Sequence, residues 1–321
     1  MDVTNPNNPS RESAIRSPAD VETLIATSFL QWFNRANNLT PSIAFATMAG
    51  EFSSGFGDYG ALEYSSEPRG PVTVDPTAGS QPHRTSWSTY YSVIAAVNTA
   101  LRAIEESGLV IREGNVDVTP RARAFAKFTQ GLSHGYIGLM YDRGYVYDET
   151  MDPEELGYIG EDQSVQALLR PYDEVVEAAI AQLEAAKSIA LEHGVTIPAR
   201  STERWISGYE LSTDEFVRLI NTYIARLMVY KARSPEERQA VDWNRVIELI
   251  DAGITSDFAP VGEPGVMESW YKHRAARLRS VIPSDFMRPD YEMIGHADQG
   301  DGFVEWWAAP WPDRGLGRSH R

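Results

Sequence analysis

Trp87-Ser88-Thr89-Tyr90-Tyr91-Ser92-Val93-Ile94-Ala95-Ala96-Val97-Asn98 is the stretch on which the fold turns. Tyr90, Ile94 and Val97 recur at the spacing that lines up side chains on one face of an α-helix, and Leu101 and Ile104 continue that face. The helix starts near Ser86 and stops at Gly108, a residue that tolerates the left-handed conformation on which helices commonly end. Trp87, Tyr90 and Tyr91 read as packing aromatics of that helix.

The same punctuation runs outward in both directions. Upstream, Ser17-Pro18-Ala19-Asp20 is an N-cap with proline at the first helical position, and Val21, Leu24, Ser28, Phe29, Trp32 and Phe33 predict one helix to about Asn37. Downstream, Thr119-Pro120 opens a helix carrying Phe125, Phe128, Leu132, Tyr136, Leu139 and Met140 and ending at Gly144. Pro171 opens another, with Asp173 and Glu174 suited to its N-terminal dipole and an alanine-rich face leading to Gly194. Ser212-Thr213-Asp214-Glu215 is a capping box before Phe216, Leu219, Ile220, Tyr223, Leu227 and Tyr230; Ser234-Pro235-Glu236-Glu237 is a second. Asp242 caps a last helix that stops at Gly253. No comparable run alternates with period two, so a large sheet is not expected. The chain reads as mainly α: stacked helical hairpins of degenerate tetratricopeptide-like size with long irregular loops, in a single domain over 1–321. The helical scaffold spans about 17–253. Residues 50–85, 144–170 and everything from about 254 onward are irregular and rich in Gly, Pro and aromatics, where a rigid scaffold commonly carries its binding groups.

Composition removes several functions. The formal charge is 29 − 45 = −16 without a basic run, so nucleic acid is not an expected partner. The absence of cysteine excludes disulfides, thiolate catalysis and Cys-ligated zinc or iron–sulfur clusters. No apolar stretch reaches the roughly 18 to 20 residues that cross a bilayer, and the opening Met1-Asp2-Val3-Thr4-Asn5-Pro6 has no basic-then-apolar leader.

Several motifs point to chemistry that their context denies. Gly55-Phe56-Gly57-Asp58-Tyr59-Gly60 satisfies the dinucleotide fingerprint, yet no strand precedes it and Pro68 and Pro71 follow, so it reads as a loop. Gly131-Leu132-Ser133-His134-Gly135 matches the nucleophile elbow, which must join a strand to a helix; here it lies mid-helix, where small residues permit close packing. The histidines at 83, 134, 193, 273, 296 and 320 form no pair at metal-binding helical spacing. Asp142, Asp148, Glu149 and Asp152 surround a glycine-containing loop without EF-hand spacing, and read as a solvated acidic loop rather than a calcium site. Glu154-Glu155 and Glu161-Asp162 are adjacent acids expected by chance among 45, not a glycosidase pair. Neither a metal nor a cofactor is expected.

Laid end to end, these segments resemble the SusD/RagB family. Asp2-Val3-Thr4-Asn5-Pro6-Asn7-Asn8-Pro9 resembles the start of mature members, and Ser17 to Glu22 their first helix. Trp87 to Asn98 is similar to the family's Trp, Tyr, Ile and Asn helix and is the most specific piece. Ala122 to Tyr141, Tyr172 to Ala186 with Leu183-Glu184-Ala185-Ala186, Asn221 to Tyr230 and Asp242 to Gly253 resemble the helices that follow. The resemblance covers about residues 2–260 and rests on the order of the pieces.

It implies a non-catalytic protein, lipid-tethered at the cell surface of the outer membrane, that holds a glycan or peptide nutrient and caps a SusC-like TonB-dependent transporter. The sequence departs from the family in lacking a leader and lipobox cysteine, and in stopping early, which implies a truncated binding lobe over about 254–321. Phe56, Tyr59, Trp270, Tyr271, Trp306, Trp307 and Trp311 are the candidate ligand contacts, since flat rings on loops suit the apolar faces of sugars or peptide groups. The alternative is a helical-repeat scaffold that binds another protein and no small ligand. An aromatic arc on loops favours the first reading and a continuous groove of helix faces the second.

Overall fold

The computed structural model describes residues 17–37, 39–54, 82–151, 169–199, 204–261 and 287–289. These form a mainly helical stack whose hairpins are legible in their pairwise contacts. Helix α1 (Pro18–Ala26) begins where Ser17 accepts the Asp20 amide at 3.2 Å. It does not run on to Asn37 as one rod, because a turn at Thr27 separates it from α2 (Ser28–Asn37). The Ala26 carbonyl accepts the amide of Trp205 at 2.6 Å, and the Thr27 hydroxyl donates back to Thr23 O at 3.0 Å, so the ladder is diverted at that point. Helix α3 (Leu39–Met48) and a short strand β1 (Phe52–Ser54) follow.

Helix α4 (Pro82–Ser107) starts earlier than Ser86 and ends as expected at Gly108, whose φ is 60°. The hairpin of β2 (Arg112–Glu113) and β3 (Val116–Asp117) turns the chain into α5 (Thr119–Met140). Asn98 meets Gln130 and Glu105 meets Arg123, so α4 and α5 run antiparallel. Helix α5 stops at Met140, short of Gly144, because the chain is extended at Tyr141 and the Arg233 guanidinium takes the carbonyls of Gly138 and Tyr141 at 2.7 and 2.8 Å. A bridge between β4 (Arg143–Gly144) and β5 (Arg170–Pro171) leads into α6 (Tyr172–His193), which Gly194 closes at φ 60°.

Helix α7 (Thr213–Lys231) carries both halves of its capping box, Ser212 to the Glu215 amide and the Glu215 carboxylate to the Ser212 amide. At α8 (Pro235–Gln239) only half the box forms: Ser234 caps the Glu237 amide, while the Glu237 carboxylate turns to the Arg233 amide and the Tyr172 hydroxyl. Helix α9 (Trp243–Asp251) is capped by Asp242, and β6 (Met287–Pro289) pairs antiparallel with β1. Lys187 meets Asn221 and Glu177 meets Lys231, so α6 and α7 form the next antiparallel pair. All three sheets among the described residues are two-stranded.

The stack is tightest between α5 and α6. Gly131 and Gly138 lie two turns apart on the face of α5 that meets α6, and Gly135 meets Leu227 of α7. Around them Phe29, Phe125, Phe128, Phe216 and Trp205 interlock, with Phe128 and Phe216 edge to face at 5.3 Å and Phe125 and Trp205 at 4.9 Å. The segment after α5 is held by side chains one, two and three turns apart on α4. Tyr91 meets the Tyr145 backbone, the Asn98 amide donates to Tyr147 O, and Arg102 donates to the carbonyls of Glu149 and Met151.

Candidate functional site

Where α2, α3, α5 and α7 converge, they leave a groove made of two adjoining clefts that share Asn37, Tyr136 and Arg226. One, of about 560 Å³, is walled by Trp32, Phe33, Tyr223 and the segment Ile254–Phe258. The other, of about 470 Å³, is walled by Ser42, Phe45, Tyr90, Leu139, Met140 and Tyr230. The helical aromatics arrive by periodicity: Tyr136 and Met140 are one turn apart on α5, and Tyr223, Arg226 and Tyr230 form one stripe of α7.

The rings are mutually braced. Trp32 stands edge to face with Tyr136 at 5.0 Å and with Tyr223 at 5.6 Å, and Tyr90 meets Tyr136 at 6.0 Å. The Arg226 guanidinium sits 5.9 Å from the centre of the Tyr136 ring and 5.4 Å from that of Tyr230, within the range of a cation–π contact. Burial raises the phenol pKa values of Tyr136, Tyr223 and Tyr90, so all three stay neutral at physiological pH. Among the described residues the Trp32 Nε1 and the Tyr90 hydroxyl are buried without a hydrogen-bond partner. Such a group costs about 1–3 kcal/mol relative to a satisfied one, and both belong to residues of this groove's wall. Rings, an amide, a hydroxyl and a guanidinium suit stacking and hydrogen bonding.

A third cleft, of about 520 Å³ between α6, α7 and the α8–α9 corner, has walls already paired with one another. There Lys231 meets Glu177, Arg245 meets Glu184 at 3.1 Å, and the Tyr172 hydroxyl donates to Glu237 at 2.6 Å. Its charges are consumed in joining the helices.

The candidate ligand contacts Phe56, Tyr59, Trp270, Tyr271, Trp306, Trp307 and Trp311 lie outside the described residues, as do Gly55–Gly60 and the acid pairs at 154–155 and 161–162. Ser133 and His134 of the elbow-like motif are wholly buried in the middle of α5. Ser133 donates to Thr129 O at 2.8 Å; His134 bonds Gln182 at 2.9 Å through Nδ1 and accepts the Tyr147 amide at Nε2. In the acidic loop Asp142 is solvated as expected, 97% exposed, whereas Glu149 is not. Asp142 pairs with Arg233 at 2.8 Å, and Glu149, 14% exposed, pairs with Lys127 at 2.6 Å; Asp152 lies outside the described residues. Trp87 and Tyr91 pack against Tyr141 and Tyr145. Arg226 was missed, although its position three residues after Tyr223 and four before Tyr230 places it on the same helix face.

No model of a known family matches the sequence, and no curated protein matches it. Among solved structures, a SusD-like carbohydrate binding protein from Bacteroides vulgatus ATCC 8482 aligns with 72% of this chain at 17% identity and a TM-score of 0.43. The alignment spans 45% of that protein's length. Among the described residues no helix is long and apolar enough to cross a membrane.

Proposed function

We propose that this chain is a non-catalytic binding protein of the SusD/RagB kind. It holds a glycan, or a peptide, at the cell surface and passes it to a SusC-like TonB-dependent transporter in the outer membrane, to which it is tethered by lipid. The order of the family-like segments supports this reading: Trp87–Asn98, Tyr172–Ala186 and Asn221–Tyr230 fall on α4, α6 and α7 of one hairpin stack, and Ala122–Tyr141 on α5 up to its C-cap. The observation that carries it is the braced aromatic groove, because rings beside the Arg226 guanidinium and the Asn37 amide match a ligand with apolar faces and polar edges. Phe56, Tyr59, Trp270, Tyr271, Trp306, Trp307 and Trp311 remain proposed contacts from the irregular segments.

Calorimetric titration of the purified chain against neutral and acidic oligosaccharides and peptides tests the reading. Tyr230 is 62% exposed, so Tyr230→Ala leaves the fold intact. It is expected to weaken binding by about tenfold, the upper range of one aromatic contact. Absence of saturable binding to every compound overturns the proposal.

A second reading, the protein-binding scaffold, draws on two features. The groove is lined largely by helix faces, and α9 with the turn beyond it presents Trp243, Ile247, Ile250 and Ile254, 42%, 56%, 59% and 39% exposed, along one stripe. It predicts that none of the oligosaccharides binds.

A further inference from the structure

We infer that the glycan held in the groove is an anionic one, with the carboxylate of a uronic acid received by Arg226; this rests on the binding reading above. Arg121 pairs with Glu22 and Glu113, Arg123 with Glu105, Arg233 with Asp142, and Arg245 with Glu184 and Glu248. Arg226 is solvent-exposed, and among the described residues its guanidinium meets only the rings of Tyr136 and Tyr230. Arg102 and Arg218 also lack an ion pair among the described residues but donate to backbone carbonyls, whereas Arg226 opens into the groove. The cleft it shares with Ser42, Phe45, Tyr90 and Tyr230 contains no carboxylate among its described walls. Asp257 lines only the adjoining cleft and forms no ion pair with Arg226 within 4.0 Å.

A guanidinium held between rings keeps a flat fork of donors available at low cost in side-chain entropy, and that fork matches a carboxylate in two parallel hydrogen bonds. The flanking rings of Tyr136 and Tyr230 provide surfaces for the sugar that bears the charge. A sulfate ester offers the same anionic chemistry from another source, and a peptide carboxylate would lack the sugar ring.

The test is titration of the full chain with oligogalacturonate, its methyl ester, a sulfated oligosaccharide and a neutral oligosaccharide, using wild type, Arg226→Gln and Arg226→Lys, with thermal unfolding of each variant as a check on folding. The free acid is expected to bind about tenfold or more tighter than the ester, the value of a charge-assisted pair in a half-exposed site. Arg226→Gln erases that preference by weakening the free acid more than the ester, and Arg226→Lys restores part of it. Equal binding of acid and ester, a preference that survives Arg226→Gln, or a preference for sulfate over carboxylate overturns the inference and leaves the binding reading standing. Failure of all the saccharides to bind overturns both.

Discussion

Gly138→Val is expected to destabilise the fold by about 3 kcal/mol or more, while Gly135→Ala, one turn earlier on the same helix, is close to neutral. A Cβ at Gly138 would stand 2.6 Å from Val176 Cγ2 and 2.9 Å from the Tyr172 carbonyl oxygen. The second is backbone, so α6 itself must move away from α5, and a β-branched residue adds two methyl groups to the same gap. Gly131→Ala is expected to share the penalty, since its Cβ would lie 2.9 Å from the Ala179 carbonyl oxygen as well as 2.8 Å from Leu183 Cγ. At Gly135 the obstruction is the Leu227 side chain alone, with Cδ1, Cδ2 and Cγ at 2.7, 2.8 and 3.3 Å, and these side-chain atoms can shift without moving backbone. There the gain of about 1 kcal/mol from replacing a helical glycine by alanine offsets the readjustment. Urea unfolding monitored by circular dichroism ranks the three; a neutral Gly138→Val would mean that α5 and α6 are not in contact as described.

Lowering the pH from about 7 to about 5 is expected to cost the wild type about 2 kcal/mol through His134 alone, approaching about 3 kcal/mol near pH 4. Burial lowers the pKa of His134 from 6.5 to about 4, against the opposing bonds to Gln182 and the backbone of Gln130. Asp148 draws the value up and Lys127 pushes it down, both less than burial does. In the window between these two values the unfolded chain binds a proton that the folded chain refuses, so acidification favours unfolding; above 6.5 neither state is protonated and the full stability is present. Refusal has a structural cause: Nδ1 donates to Gln182 Oε1 and Nε2 accepts the Tyr147 amide, so a second ring proton would face another donor. Comparing unfolding of wild type and His134→Gln at the two pH values isolates the effect, because other titrations are common to both. If the difference between the two proteins stays constant across the window, the neutral, doubly bonded histidine is wrong.

Much of the scaffold was legible because its signals are local. The Ser212–Glu215 capping box, Gly108 and Gly194 act within one turn of the helix they bound, and each is used as read. The departures have remote causes. The break between α1 and α2 depends on the Trp205 amide, supplied from far along the chain, and the early end of α5 depends on Arg233. Helix α3 was not placed at all; its Pro41 falls in the first turn, where helices accommodate proline. The groove was half legible. Trp32, Tyr136, Tyr223 and Tyr230 were placed on helix stripes, but a stripe does not say which of its rings face a core and which a cleft. That depends on how four helices meet, and Arg226 acquires its meaning only there.

The most direct measurement is a crystal structure of the chain soaked with whichever oligosaccharide binds it most tightly in the titrations above. The account predicts a sugar ring within about 4 Å of Tyr230 and Tyr136, with its charged or hydroxyl edge on Arg226. A sugar bound elsewhere, with the groove between α2, α3, α5 and α7 unoccupied, would contradict it.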